Sequence, residues 1–547
     1  MILRADTVLP MTGDGADPAN AVAFSRDRIA AVGRNGDIVA QPGQPQWDFG
    51  DRVLMPGFVD VHAHYEVAAR VRYTTVDCRA PACKDVDDVL EVLSRGARDT
   101  ATGWVVGQGN LFLDQKLADR RMPTREELDE AGDGCAVALR AGGHITMLNS
   151  RALELARIDE GYEPPQGSVT GQPIVERDDD GRLTGVVKEM DNLLPLPTMD
   201  DAALKQALKE GAMELFTKHG VTTIGEITET VAGLNMMDEL ALEDDLSIRV
   251  AGYLWVPGTM PLERACQGQL SFRAASEHLS IRGIKLFADG GFTAASAAVK
   301  RPYAIDPCSH GTLALTRSYL TEVAEMAANA GLQLAVHANG ERAQELVCEA
   351  VAAAAPRDGF PLAPRIEHAG NFLPDRSLTE RWREAGIIPV PQPVFIFTLG
   401  EFIPTYVGDY GHHGQFPLRT LIDDGWSLSG SSDVWIGSEL RQTNPLFSVW
   451  CCVERRGFFG HQIEPEQAIS VDEALWMHTM GGAKVMGHEG EKGSLQPGKL
   501  ADVIVLAQDP RAVKPSELAD IPVDYVFLGG RCVYERPGAE PYTESLA

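Results

Sequence analysis

At 547 residues the chain is more than twice the roughly 250 residues that one compact α/β barrel needs, so a large catalytic domain plus an accessory region is expected. Its 49 basic and 78 acidic side chains give a formal charge of −29, which argues against nucleic acid and anionic membrane as partners. With 44% hydrophobic and 23% charged residues, the composition also excludes disorder as a global description.

In chain order, residues 2–9, 21–24 and 28–32 read as short strands, with a turn at Ser25-Arg26-Asp27 and an end at Gly33. A similar pattern returns only at 498–506 and 523–534. Neither piece has enough strands to close a core alone, so the two predict one β-sandwich built from both termini, residues 1–55 and 488–547. Between them lie apolar, β-branched runs alternating with amphipathic stretches such as 201–218 and 319–330, the pattern of a parallel sheet covered on both faces. The runs at 53–64, 221–226, 248–254, 283–288, 332–337, 365–368, 387–392 and 426–433 predict an α/β fold, a TIM-like (β/α)8 barrel over residues 56–487. The stretch from His64 to Val221 is too long for a βα connection, so residues 78–196 are expected to form a subdomain inserted after strand 1. Insertions of this kind sit on the catalytic face, which makes this one a candidate lid.

The nine cysteines are scattered and form no C-x-x-C pair, which points to reduced thiols; Cys451-Cys452 reads as core packing. The start, Met1-Ile2-Leu3-Arg4-Ala5-Asp6, has an acid where a secretory signal needs apolar residues, and no apolar run approaches the ~20 residues of a membrane span. A soluble cytoplasmic protein is the expectation.

The sharpest chemical signal is Pro56-Gly57-Phe58-Val59-Asp60-Val61-His62-Ala63-His64. Alternation along a strand puts both imidazoles on one face, about 7 Å apart, where they could converge on Zn²⁺ or a similar cation. Two later runs also end in histidine, Leu334-Ala335-Val336-His337 and Arg365-Ile366-Glu367-His368, as expected where parallel strands deliver side chains to one barrel rim. Lys285 lies in the apolar run Ile284-Lys285-Leu286-Phe287. It is either paired with Asp289 or Glu226, or held neutral by burial near cations, where the amine can capture carbon dioxide as a carbamate that bridges two metals. Asp433 ends Ser429-Gly430-Ser431-Ser432-Asp433 and could accept the proton of a metal-bound water.

The ordered set His62, His64, Lys285, His337, His368 and Asp433 resembles the amidohydrolase superfamily. The segments between resemble its YtcJ-like branch, which includes N-substituted formamide deformylases: Gly103-Trp104-Val105-Val106-Gly107, Met122-Pro123-Thr124-Arg125, Gly143-His144 with Asn149-Ser150, His219-Gly220-Val221-Thr222-Thr223, Lys285-Leu286-Phe287-Ala288-Asp289-Gly290 and Gly493-Ser494-Leu495-Gln496-Pro497-Gly498-Lys499-Leu500-Ala501-Asp502. The resemblance implies a metal-dependent hydrolase with one or two divalent ions, zinc foremost. It places His62, His64 and Asp433 on the more buried ion, His337 and His368 on the second, and carboxylated Lys285 between them. It further implies that a hydroxide held by the cations attacks a carbonyl and that Asp433 passes the proton to the leaving nitrogen.

Outside this set, His144 could reach over the rim to hold the substrate carbonyl, with a satisfied loop histidine as the alternative. Glu189 would be a rival bridge were Lys285 unmodified. Trp104, Tyr65, Gln392, Phe397 and Trp435 are candidate pocket walls, and Glu341 keeps a mononuclear deaminase of an aminated heterocycle open as the second reading. The expected activity is hydrolysis of a non-peptide C–N bond in a small N-substituted amide, formamide or carbamate-like substrate, by a homodimer.

Overall fold

The computed structural model describes residues 1–13, 18–166, 168 and 170–546. Seven parallel strands form the central sheet: β1 (Phe58–Ala63), β2 (Val221–Thr228), β3 (Arg249–Trp255), β4 (Leu279–Phe287), β5 (Gln333–His337), β6 (Arg365–Glu367) and β7 (Ile388–Val390), paired in that order. All residues of β2 and β3 are buried, because helices cover one face and the barrel interior fills the other. Some of the connecting helices begin at side-chain caps, for example Asp200 on Asp201–Gly211 and Thr316 on Arg317–Asn329. The run expected as one helix over 201–218 is α-helical only to Gly211 and then loosens through a π turn, Ala212–Phe216, into a 3-10 turn, Thr217–His219.

The run at 426–433, expected as the eighth strand, forms no ladder. Its backbone is held by other acceptors: Ser432 N–H donates to Asp60 Oδ1 at 3.0 Å, Asp433 N–H to the His62 carbonyl at 2.8 Å and Gly430 N–H to the Met477 carbonyl at 2.9 Å. On the opposite edge, Ser431 Oγ donates to the Pro391 carbonyl at 3.2 Å. The segment therefore closes the ring between β1 and β7 with serine and aspartate side chains doing what a ladder does elsewhere.

The run at 53–64 also divides. Val53–Pro56 pairs antiparallel with Val503–Leu506, while β1 begins after Gly57, whose N–H donates to the Asp502 carbonyl at 3.0 Å. Strands of both chain ends thus share one nine-stranded sheet, which includes Pro45–Asp48 and Thr543–Leu546 beyond the runs read from sequence. The buried pair Arg249–Asp502, with nitrogen–oxygen distances of 2.7 and 2.8 Å, ties that sheet to β3.

Between β1 and β2 a six-stranded sheet runs in the order Ile174–Arg177, Leu183–Lys188, Ile145–Leu148, Ala136–Ala141, Trp104–Gly109, Val76–Asp77. It has its own core, including Cys78, Leu93, Val105, Val137 and Leu139. Among the described residues no helix is long and apolar enough to cross a membrane.

Gly225 marks where β2 shifts register against β1, between Ile224 and Glu226. A Cβ there would lie 2.2 Å from the Val61 carbonyl oxygen, a backbone atom that cannot swing aside. Gly225→Ala is expected to destabilise the fold by about 1–3 kcal/mol, read as a lower urea midpoint with unchanged slope.

Candidate active site

The barrel gathers the six sequence-selected residues into one cluster, with three of the histidines on Asp433. His62 Nε2 lies 3.3 Å from Asp433 Oδ1, His64 Nε2 lies 3.5 Å from the same oxygen, and His368 Nε2 lies 4.0 Å from Oδ2. Lys285 Nζ is 3.4 Å from His62 Nε2 and 4.4 Å from the centre of the Phe287 ring. The His337 ring packs edge-on against His368, centroids 4.5 Å apart. Neither predicted partner of Lys285 is near it in the hydrogen-bond network. Glu226 accepts the N–H groups of Tyr65 and Glu66, capping the helix after β1, and Asp289 accepts those of Ala298, Asn339 and Gly340.

Each of three imidazoles has one nitrogen anchored from behind. His62 Nδ1 meets Glu367 Oε2 at 2.7 Å, His368 Nδ1 donates to Gln392 Oε1 at 2.7 Å, and His337 Nε2 donates to the Gly290 carbonyl at 3.2 Å. Such partners fix the tautomer and leave the other nitrogen's lone pair for a ligand. Burial, with Lys285 adding to it, holds His62 well below the ordinary imidazole value; burial and His368 do the same to His337; burial brings His368 to about 4. Burial also lowers Lys285 to about 8. For Asp433, burial raises the carboxyl, but His62, His64 and His368 outweigh it and hold the group below its usual range. At neutral pH the cluster is one carboxylate and a largely protonated Lys285 among neutral imidazoles, and the carboxylate and imidazoles are the donor set that a borderline cation takes. His62, His64 and Asp433 form a group whose ligand atoms lie within 4.8 Å of one another. Among the described residues the buried Nδ1 of His64 has no hydrogen-bond partner.

Two of these side chains owe their aim to unusual backbone. Alternation would turn His368 away from Glu367, yet His368 adopts φ +75° and faces the cluster; Asp433 adopts φ +48°. Glu367 directly precedes His368, yet its link to His62 crosses the barrel interior and has no local signature in the sequence. Asp60 has none either. It receives the N–H of His62 at 3.2 Å and that of Ser432, fastening both metal-candidate segments together, and burial raises it to about 6.

The cluster opens into a cavity of about 50 Å³ lined by His64, His144, Phe287, His337, His368, Asp433 and Trp435, with Leu111, Phe292 and Phe395 on its apolar side. That space holds a few waters, and less than a substrate of drug size needs. The tip of the Ala136–Ala141/Ile145–Leu148 hairpin covers it: a Cβ on Gly143 would lie 2.2 Å from the Trp435 ring, so the turn lies flat on the indole, which itself stacks on His64 at 4.8 Å. His144 follows, with its Nδ1 2.8 Å from Glu189 Oε2. Burial opposes a charge on His144, but Glu189 outweighs it and raises the imidazole above its ordinary value. Glu189 is occupied by His144, Ser296 and Gly291 rather than by the Lys285 neighbourhood.

Of the suggested walls, Trp435 lines the cavity and Gln392 supports it through His368. Tyr65 packs on Phe216, Phe397 on Phe447, Trp450 and Phe458, and Trp104 on the insert's core; none lines it. Glu341, the candidate deaminase acid, is buried at a helix start, accepts the Lys300 N–H at 3.3 Å and does not line the cavity.

The sequence model of the amidohydrolase family matches residues 47–534. The chain belongs to the amidohydrolase family. Within it, the N-substituted formamide deformylase of Arthrobacter pascens is 30% identical over 95% of this chain and 96% of its own length. The Bacillus subtilis (strain 168) protein YtcJ is 25% identical over 95% and 97%, which places the chain in the YtcJ-like branch. The fold is shared with the crystal structure of an uncharacterized metal-dependent hydrolase from Pyrococcus horikoshii OT3, at a TM-score of 0.72 and 24% identity, covering 95% of this chain and 100% of that one. This amidohydrolase is thus an enzyme of C–N bonds other than peptide bonds.

Proposed function

We propose that the enzyme hydrolyses small N-substituted amides, with formamides first and carbamate-like compounds as relatives of the same chemistry. What carries this reading is the convergence of His62, His64 and His368 on Asp433, with Lys285 against His62, beside one cavity. His62, His64 and Asp433 would hold one divalent ion, zinc by donor type, and His337 and His368 a second, with Lys285 as a carbamate between them. Bound there, such ions lower the pKa of water and polarise a carbonyl oxygen.

The chain's own residues supply the rest. Asp433, the only carboxylate facing the cavity among its lining residues, takes the proton of the attacking water and returns it to the departing nitrogen. His144, with Nδ1 committed to Glu189, presents Nε2 as a donor to the substrate carbonyl. Phe287, Phe292, Phe395 and Trp435 exclude bulk water. On this reading residues 78–196 act as the lid over a barrel spanning 56–487, with 1–55 and 488–547 as the composite terminal unit.

The direct test is hydrolysis by purified, zinc-loaded protein of a panel of formamides, anilides, carbamates and aminated heterocycles. Formate and amine are the expected products; ammonia from a heterocycle with formamides untouched would overturn the reading. Replacing His144 with Asn is expected to lower kcat about 10²–10³-fold, the cost of losing one preorganised donor, with KM little changed. Steady-state kinetics on the best formamide of the panel checks this.

A further inference from the structure

The loop that carries Asp433 is held in place by the inserted sheet rather than by the barrel alone. Lys116, on the insert, places Nζ 2.6 Å from Glu439 Oε1, and Asn110 Nδ2, also on the insert, donates to Glu439 Oε2 at 2.8 Å. The Glu439 backbone N–H donates to Gln442 Oε1 at 2.9 Å. The other end of the same amide, Gln442 Nε2, donates to the carbonyls of Ser432 at 2.9 Å and Asp433 at 3.1 Å. An unbroken chain of polar contacts therefore runs from the insert to the backbone of the residue that moves the proton.

Two further contacts hold the same loop. Arg79 Nη1 donates to the Ser438 carbonyl at 2.6 Å, and Gly437 lies so close to the insert that a Cβ would fall 2.0 Å from the Gly109 carbonyl oxygen. Lys116 is wholly buried, with the Phe402 and Phe458 rings 5.5 and 5.0 Å from its nitrogen. A methionine would pack among those rings without the desolvation that an ion pair must overcome, so stability alone gives no reason for a lysine there. What the pair provides that an apolar contact does not is a fixed direction and distance for Glu439.

We propose that Lys116, Glu439 and Gln442 form a latch through which the inserted sheet sets the position of Asp433, making all three positioning residues for the hydrolysis proposed above. It rests on that reading for its kinetic consequence. Asp433 holds a left-handed backbone conformation, uncommon for a residue with a Cβ although aspartate tolerates it better than most, and the latch adds contacts from the insert to those of the barrel that keep it there. Docking of the insert and alignment of the proton carrier are then one event.

The test uses full-length, zinc-loaded protein carrying Lys116→Met, Gln442→Met or both, with formanilide as substrate and amide hydrogen exchange as a readout independent of turnover. Each single variant is expected to lose about tenfold or more in kcat, with KM within about threefold of the parent. Because both act through one chain of contacts, the double variant loses no more than the worse single one. Exchange of the amides of 433–442 rises, while that of the barrel strands does not. Should Lys116→Met not fold because Glu439 is left as a lone buried charge, Lys116→Met with Glu439→Gln takes its place. Unchanged exchange in 433–442, kcat per folded molecule within about twofold of the parent, or losses that multiply in the double variant would each overturn the latch. An inactive parent counts against the hydrolase reading, and the exchange data then decide the latch by themselves.

Discussion

Asp433→Asn is expected to lower kcat by about 10³-fold or more, within the range that positioned proton transfer contributes. An amide keeps the size of the side chain but cannot carry a proton between water and a leaving nitrogen. It also removes the one anion on which His62, His64 and His368 converge, at 3.3, 3.5 and 4.0 Å. KM should move far less than kcat, because on the proposed reading the side chain acts on the reacting atoms rather than on the bound amide. Steady-state rates on a formamide, normalised to bound zinc, decide the matter; a kcat within about tenfold of the parent would remove Asp433 from the proton path.

Lys285→Met is expected to abolish measurable turnover, a loss of about 10³-fold or more, because on the proposed reading it removes the group that stabilises charge between the two ions. Its isosteric stem preserves the packing on Phe287. Carbon dioxide adds only to the neutral amine, and burial lowers the Lys285 value from 10.5 to about 8. At pH 7 roughly one amine in ten is then neutral, against roughly one in three thousand for an ordinary lysine. Reconstitution of metal-free parent with zinc and bicarbonate should therefore improve as pH rises towards about 8 and level off above it. A carbamate carbon signal after 13C-bicarbonate loading is expected in the parent and absent from the variant. Full activity of the variant, or reconstitution indifferent to bicarbonate, would mean that the amine serves unmodified.

The barrel strands and the histidines, lysine and aspartate gathered at their ends were legible in the sequence because both depend on local pattern. Runs such as Leu334-Ala335-Val336-His337 state an apolar strand and a polar rim within a few residues. Contacts between distant segments left no such mark. Glu367 meets His62 across the barrel, Gln392 orients His368 from the next strand, and Glu439 meets Lys116 from another subdomain. The missing eighth ladder has the same origin: Asp60, one strand away, takes over a donor that alternation alone would have given to a neighbouring strand. The aim of His368 and Asp433 was hidden as well, since a positive φ at a non-glycine residue overrides the two-residue period. Aromatic residues were the least legible. Trp435 lies on the cavity while Trp104 and Phe397 serve cores, and nothing in composition separates the two uses.

On the proposed reading, this chain's histidines, lysine and aspartate hold divalent ions at one place. Anomalous diffraction from zinc-soaked crystals, recorded above and below the zinc edge, addresses it directly. Two peaks are expected, one among His62, His64 and Asp433 and one beside His337 and His368, with continuous density from Lys285 reaching both. A map with no peak near these residues, from crystals that hold zinc elsewhere on the protein, would contradict it.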